Sequence, residues 1–294
     1  MQHLKSKRYK FIADPGDVRL GERLGSDGSR ADVVIVGAPW DGAVGTRPGS
    51  RLAPSKIRQS LFTAPYQGGF TISDWGDVNT VVGDHEETWR RVSSACIEAL
   101  SSSSELLLIG GDSTVSYCAF KALRNHTQSK IAYVSLDAHP DVRSISEGLT
   151  SGQVVRWVRE VDKQASTCVV GIRRHSNAPY LFNEAESLGV KLYDVEEALE
   201  PAFLGELENL VGNATLHLSI NMDVVDPAFA PGVNSPSPGG FTSREVIGLV
   251  EKIAKRFKPR IVDLVEYTPA YDLGDITAML GATLLAKSIW IQKV

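Results

Sequence analysis

Short apolar runs recur along the chain at 31–37, 105–109, 131–136, 167–172, 190–193, 215–220 and 260–265, most of them ending at a glycine or a polar side chain. Continuous runs rich in Val, Ile and Leu predict strands buried on both faces of a parallel sheet. Between them the pattern turns helical. Pro54 opens a helix over 55–62, and further helices are predicted over 88–100, 116–123, from about 154, over 243–257 and over 276–291. In the helix over 243–257, Ile247, Val250, Ile253 and Ala254 fall on one face. Strands alternate with helices without a composition shift or tandem repeat. The expected fold is therefore α/β: a single three-layer domain spanning 1–294, with a mainly parallel central sheet and helices on both faces. Residues 1–30 are polar, with Gly16, Gly21, Gly25 and Gly28, and are expected to form an N-terminal extension packed on that domain.

The polar residues of interest fall just past predicted strand ends, where parallel sheets bind ligands. They are Asp41 and Arg47, Ser113, Asp137 to Asp141, Arg173, Asn221 to Asp226, and Glu266. The strand over 131–136 runs into Asp137-Ala-His-Pro-Asp141, with donors at alternate positions, so an extended chain aims Asp137, His139 and Asp141 to one side. Carboxylate with imidazole suits Mn²⁺, Zn²⁺ or Fe²⁺ better than Mg²⁺ or Ca²⁺. The plainer reading is a strand end whose aspartates cap turns. A second strand ends in Asn221, Asp223 and Asp226 before a Pro/Gly-rich loop to Gly240. Asp112 or Ser113 also has the place of a helix N-cap. The glycine-rich loop 39–49 lacks both GxGxxG and GxxxxGK[ST], which leaves a phosphate cradle without support.

Three segments together resemble the ureohydrolase superfamily of arginase, agmatinase and formiminoglutamase. They are Gly110-Gly-Asp-Ser-Thr114, Asp137-Ala-His-Pro-Asp141 and Ser219-Ile-Asn-Met-Asp-Val-Val-Asp-Pro-Ala-Phe-Ala-Pro-Gly232. Asp74-Trp-Gly-Asp-Val-Asn79 is similar to a further segment of that family, and the likeness spans nearly the whole chain. It implies a pair of Mn²⁺ ions and a bridging hydroxide that attacks an amidine or guanidine carbon. By that resemblance Asp137 bridges the ions, Asp141 serves the first, and His139 and Asp223 serve the second. Glu266 faces the amidinium or guanidinium, Asp226 shapes its loop, and Asp137, Asp141 and Glu266 form the catalytic set. Two ligand positions depart from the family pattern: Ser113 stands in place of a histidine and Asn221 in place of an aspartate. The expectation is therefore at most one tightly bound Mn²⁺, with Asn221 a doubtful ligand. His175, on a loop, is the better candidate for a replacement histidine. His217 lies four residues before Asn221 and reads as a core histidine.

Several loops are more similar to formiminoglutamase than to arginase: Thr150-Ser-Gly-Gln153, Arg173-Arg-His-Ser-Asn177, Gly232-Val-Asn-Ser-Pro236 and Glu266-Tyr-Thr-Pro-Ala-Tyr-Asp272. Arg47-Pro-Gly49 is similar to agmatinase. The substrate-binding set is read as Arg47, Arg143, Arg173, Arg174, Asn177, Gln153 and Glu266. Arginines suit carboxylates, so an acidic amidine such as N-formimino-L-glutamate is the expected substrate. Two readings stand beside it: an inactive, metal-poor protein of this fold with a binding or assembly role, and an agmatinase or guanidino-acid hydrolase. A formal net charge of −4 gives no support for a nucleic-acid or membrane partner. No window approaches the ~18–20 uninterrupted apolar residues of a membrane span. The N-terminus lacks the apolar region of a secretory signal, and Cys96, Cys118 and Cys168 are well separated. Both features suit a reduced, cytoplasmic protein. The resemblance further implies a homotrimer or hexamer.

Overall fold

A computed structural model describes residues 14–25, 28–145 and 147–289. Eight strands form one sheet: β1 (Val33–Ala38), β2 (Ile72–Asp77), β3 (Glu105–Gly110), β4 (Ile131–Leu136), β5 (Ser166–Ile172), β6 (Lys191–Asp194), β7 (Thr215–Asn221) and β8 (Ile261–Val265). Their order is β2-β1-β3-β8-β7-β4-β5-β6, and every pairing is parallel. The helices are α1 (Ala53–Leu61), α2 (His85–Ser102), α3 (Thr114–His126), α4 (Val154–Val161), α5 (Tyr180–Ser187), α6 (Val195–Leu199), α7 (Phe203–Val211), α8 (Ser243–Phe257) and α9 (Ile276–Ser288). Successive residues of a strand face opposite ways, and the packing follows. Val33 and Ile35 of β1 join a cluster with Ile57, Leu207, Val250 and Leu284, whereas Val34 and Val36 join Val92, Phe120, Val155 and Leu181. One helical layer is therefore α1 with α6 to α9, and the other is α2 to α5.

Expectation and structure diverge in a few places. The segment 72–77 is an edge strand, hidden from a hydrophobicity search because Ser73, Asp74 and Asp77 interrupt it. On α8 the buried stripe is Val246, Leu249, Val250, Ile253 and Ala254, and Ile247 is only partly buried. Of the expected N-terminal extension, 1–13 and 26–27 lie outside the described residues, as do 290–291 of the expected closing helix. The described part runs past the β2 edge, with Leu20 buried and Leu24 bridging to Ile72. None of the helices among the described residues is long and apolar enough to cross a membrane.

Strands β8 and β7 lie between β3 and β4, although they come last in the chain. That order gathers the ends of four adjacent central strands, and the polar residues past them, into one crevice.

Candidate active site

Register determines which side chains meet. Leu136 of β4 is level with Ile220 of β7, and Asn221 is level with Val265 of β8. Asp137 and Asn221 therefore emerge side by side, and Glu266 follows one residue beyond their level on β8. The carboxylates of Asp137 and Asp223 and the imidazole of His139 offer ligand atoms within 4.8 Å of one another. His139 Nδ1 lies 3.1 Å from Asp223 Oδ2 and 3.4 Å from Asp137 Oδ1. Backbone donors hold the carboxylates: the His139 N–H donates to Asp137 Oδ1 at 2.7 Å, and the Ala138 N–H to Asp223 Oδ1 at 3.1 Å.

Asn221 is locked into this cluster. Its Oδ1 accepts from the Asp223 N–H at 3.0 Å, which turns its Nδ2 to donate to Asp137 Oδ2 at 2.8 Å. A backbone donor on one side and a carboxylate on the other permit only this orientation of the amide. The oxygen of Asp137 that a bridging carboxylate would offer to a second ion thus meets an N–H. Ser113 sits at the first turn of α3, but its hydroxyl makes no capping bond and lies 3.4 Å from the Ser151 carbonyl. The capping is done by Asp112, whose carboxylate accepts from the Thr114 N–H and from the Ala43 N–H. Asp141 lies outside the close trio, turned aside by a left-handed backbone (φ 50°).

The donor set fits one divalent ion such as Mn²⁺, Zn²⁺ or Fe²⁺, since two carboxylates and an imidazole converge on one point. It does not fit two. Ser113 offers a hydroxyl that is a poor ligand, and Asn221 points an N–H inward.

Burial dominates the electrostatics here. It pushes the Asp137 carboxyl up to about 6, with the charge of Asp223 adding to the effect. Asp141 is raised well above the usual range by burial and then by Asp137. For His139, burial opposes the imidazolium, but the Asp223 charge and hydrogen bonds to both aspartates outweigh it and bring the group up to about 11. Asp223 is lowered because His139 and the Ala138 N–H overcome its own burial. A metal ion must therefore displace a proton from His139 at neutral pH. Mn²⁺ affinity is expected to rise roughly tenfold per pH unit from pH 6.5 to 8.5, with about one proton released per ion. Chelator competition across that range checks this. A flat profile would overturn the exchange of a His139 proton for the ion.

Glu266 follows β8 with φ 66° and is 1% exposed. A left-handed non-glycine backbone costs ~1–2 kcal/mol, and the surroundings hold it in place. The Glu266 N–H donates to the Gly111 carbonyl at 2.8 Å. The Ser113 N–H donates to Oε1 at 2.7 Å, and Asn234 Nδ2 donates to Oε2. Burial, followed by the charge of Asp112, raises its carboxyl well above the ordinary range. Gly111 itself passes so close to the 39–49 loop that a Cβ there would stand 1.8 Å from the Trp40 oxygen.

One cavity of about 230 Å³ is lined by His139, Asp141, Asp223 and Glu266, and also by Arg143, Thr46, Asn177 and Asn234. Of the four arginines expected to receive a carboxylate, only Arg143 lines it. Its guanidinium is 3.4 Å from the Tyr180 hydroxyl and makes no ion pair among the described residues. Arg47 stacks on Tyr271 and Arg174 on Phe182, each 4.8 Å from the ring centre and off the cavity wall. Arg173 corrects the expectation most clearly. It is 3% exposed, and its guanidinium donates to the carbonyls of Gly171, Asp223 and Ser237. It knits backbone together and has no face toward a ligand.

Asn177 lines the cavity, but its Nδ2 is spent on the carbonyls of Ala138 and Arg173. Gln153 is buried and does not line the cavity, with Oε1 unpartnered among the described residues. His175 is exposed and away from the cluster. Asp226 accepts from the N–H groups of Ala228, Gly239 and Gly240, which shapes its loop. Asp41, also among the strand-end residues, is buried against Arg51 and accepts from the Gly49 N–H. Asn234 and Thr46 had no assigned role. Asn234 lies in the 232–236 loop, which is similar to that of formiminoglutamase, and Thr46 stands next to Arg47 in the glycine-rich loop, but the sequence singles out neither side chain.

A parallel three-layer sheet with a carboxylate–imidazole cluster and a buried glutamate past its central strands defines a class: α/β proteins with a divalent-metal type of donor set in the strand-end crevice. The chain belongs to the arginase family, whose model matches residues 31–290. Proclavaminate amidinohydrolase of Streptomyces clavuligerus is 31% identical over 277 residues, covering 88% of this chain and 87% of that protein. Its solved structure superposes with a TM-score of 0.84 at 30% identity, covering 98% and 99% of the two chains. Formimidoylglutamase of Halobacterium salinarum is 33% identical over 289 residues, covering 93% of this chain and 94% of that protein. The crystal structure of Trypanosoma cruzi formiminoglutamase with Mn²⁺₂ shares the fold, with a TM-score of 0.83 at 19% identity over 94% and 98% of the chains.

Proposed function

We propose that this protein hydrolyses a C–N bond of a linear, acidic amidine, with N-formimino-L-glutamate the best-fitting substrate. One observation carries the reading. A single cavity of about 230 Å³ presents Glu266 and the metal-type cluster together with Arg143. Ligand pockets usually run ~300–1,000 Å³, so this one suits a molecule the size of an amino acid. Glu266 accepts the paired N–H groups of an amidinium, and Arg143 forks onto a carboxylate. Agmatine, cationic at both ends, would put its ammonium against that guanidinium.

Asp137, His139 and Asp223 would hold one Mn²⁺, the ion named with the Trypanosoma cruzi relative. Bound there, the ion supplies Lewis acidity and a water of lowered pKa. The cavity walls orient the amidine carbon, and Asp141 is the carboxyl group on the wall available to carry a proton to the departing amine. Water oxygen joins the amidine carbon, the bond from that carbon to the glutamate nitrogen breaks, and the products are formamide and glutamate.

The test is a panel of N-formimino-L-glutamate, agmatine, guanidinobutyrate and arginine with Mn²⁺-loaded protein, scored by turnover. Formiminoglutamate should rank first. Arg143→Gln should raise its KM roughly tenfold or more, with kcat little changed. Agmatine turning over fastest would overturn the substrate assignment.

A second reading also has an observation in its favour. Asn221 donates to Asp137, and His139 is set between two carboxylates, so the side chains of the cluster partner one another. A ligand-binding protein of this fold, free of hydrolysis, is the alternative. No turnover of any panel member, with a ligand-induced thermal shift retained, selects it.

A further inference from the structure

We infer that Asn234 is a positioning residue for the amidinium-binding carboxylate: its amide and the Ser113 N–H grip opposite oxygens of Glu266 and fix the plane of that carboxylate toward the cavity. The inference rests on the amidine reading for its ligand, but the grip itself stands on geometry.

The terminal torsion of a glutamate is broad and roughly two-fold, so a single hydrogen bond leaves the carboxylate plane free to turn. Two donors on different oxygens remove that freedom. Here they come from different parts of the chain. The Ser113 N–H, at the start of α3, takes Oε1 at 2.7 Å, and Asn234 Nδ2, from the loop after β7, takes Oε2. A carboxylate has about four acceptor positions, so each oxygen keeps one for a ligand. Glu266 lines the cavity, and an amidinium offers two parallel N–H donors, which match a carboxylate of fixed plane two-to-two.

Asn234 is itself held firmly. It is 4% exposed, and its backbone carbonyl accepts from the Thr46 hydroxyl at 3.0 Å. Flanking Val233 bridges to Tyr267, and the Thr268 N–H donates to the Gly232 carbonyl at 2.8 Å. The loop thus docks onto the residues immediately after Glu266, so the distance from amide to carboxylate is set by backbone pairing. Thr46 belongs to the 39–49 loop that lines the mouth of the same cavity. An apolar side chain would fill the position equally well but leave Oε2 without its donor.

The experiment compares Asn234→Ala and the near-isosteric Asn234→Asp with the parent, each alone and with Glu266→Gln. Mn²⁺ content, thermal stability and kinetics with N-formimino-L-glutamate are the readouts. Asn234→Ala should lower kcat/KM about 10- to 100-fold at unchanged metal content, the scale of one hydrogen bond to a charged group. Asn234→Asp should lose more, because a second carboxylate then faces Glu266. In the Glu266→Gln background Asn234→Ala should add little. A parent-like kcat/KM in Asn234→Ala, or losses that simply multiply in the double variant, overturns the inference. If the parent turns over no amidine, the reading of function fails, and melting temperatures still decide the grip. Non-additive shifts for Asn234→Ala and Glu266→Gln uphold it, and additive shifts refute it.

Discussion

The double variant Ser113→His/Asn221→Asp is expected to bind two Mn²⁺ per chain where the parent binds one, and to gain or increase amidine hydrolysis. On the proposed reading, two side chains oppose a second ion. Asn221 presents an N–H to Asp137 Oδ2 at 2.8 Å, and no cation can share that oxygen from the same side. Aspartate in its place restores an anionic bridge. Histidine at 113 replaces a hydroxyl 3.4 Å from the Ser151 carbonyl with a nitrogen ligand at the cavity edge.

Asn221→Asp alone sets two buried carboxylates side by side with no donor between them. Without metal its melting temperature should fall by roughly 5–10 °C, because burying an unpaired charge costs several kcal/mol. Added Mn²⁺ should recover most of that loss, while the parent, already hydrogen-bonded, shifts less. Elemental analysis and thermal melts with and without Mn²⁺ measure both effects. Metal content unchanged from the parent in the double variant would sink the idea that these two residues alone restrict the site.

The fold could be read because buried parallel strands are nearly pure hydrophobic runs. The strand 131–136 and the helix 243–257 were expected with the bounds they have. Where packing is one-sided the signal weakens. The edge strand Ile72–Asp77 carries three polar residues, and the short helices between Tyr180 and Val211 leave too few turns for a clear period. The site was legible to the same depth. Alternation along an extended segment does aim Asp137 and His139 together, but the backbone reverses at Asp141, and spacing alone cannot show a positive φ.

Arginines past strand ends look alike in a sequence. What separates Arg143 from Arg173 is burial against three backbone carbonyls, a property of loops brought together from distant parts of the chain. The same holds for Asn234, whose partner Glu266 is 32 residues away. The likeness of 232–236 to formiminoglutamase marks the loop, but only the fold shows that its asparagine is the side chain that meets Glu266.

Asp263→Ala should be strongly destabilising, and it should leave the metal site's stoichiometry alone. Asp263 lies in β8, 0% exposed, level with Ser219 of β7. Its Oδ2 is 2.5 Å from His217 Nε2, and its Oδ1 accepts from the hydroxyls of Ser116 and Ser219 at 2.9 and 2.7 Å. His217 is also fully buried, edge-on to Tyr133 at 5.0 Å between ring centres, so it sits in the core as its position in the strand suggested. Removing the carboxylate strands the imidazole and loosens both serines in a place water does not reach. Breaking such a buried pair costs roughly 3–5 kcal/mol, a fall of about 6–15 °C in melting temperature for a chain of this size. Replacing both members by apolar residues of similar volume, His217→Phe with Asp263→Leu, should recover much of that loss, because no polar group is then left unpaired. Thermal and urea melts of the single and double variants measure this, alongside Mn²⁺ content. A loss below about 1 kcal/mol for Asp263→Ala would mean that water reaches the network. Loss of Mn²⁺ with the fold intact would mean that His217 serves the site after all.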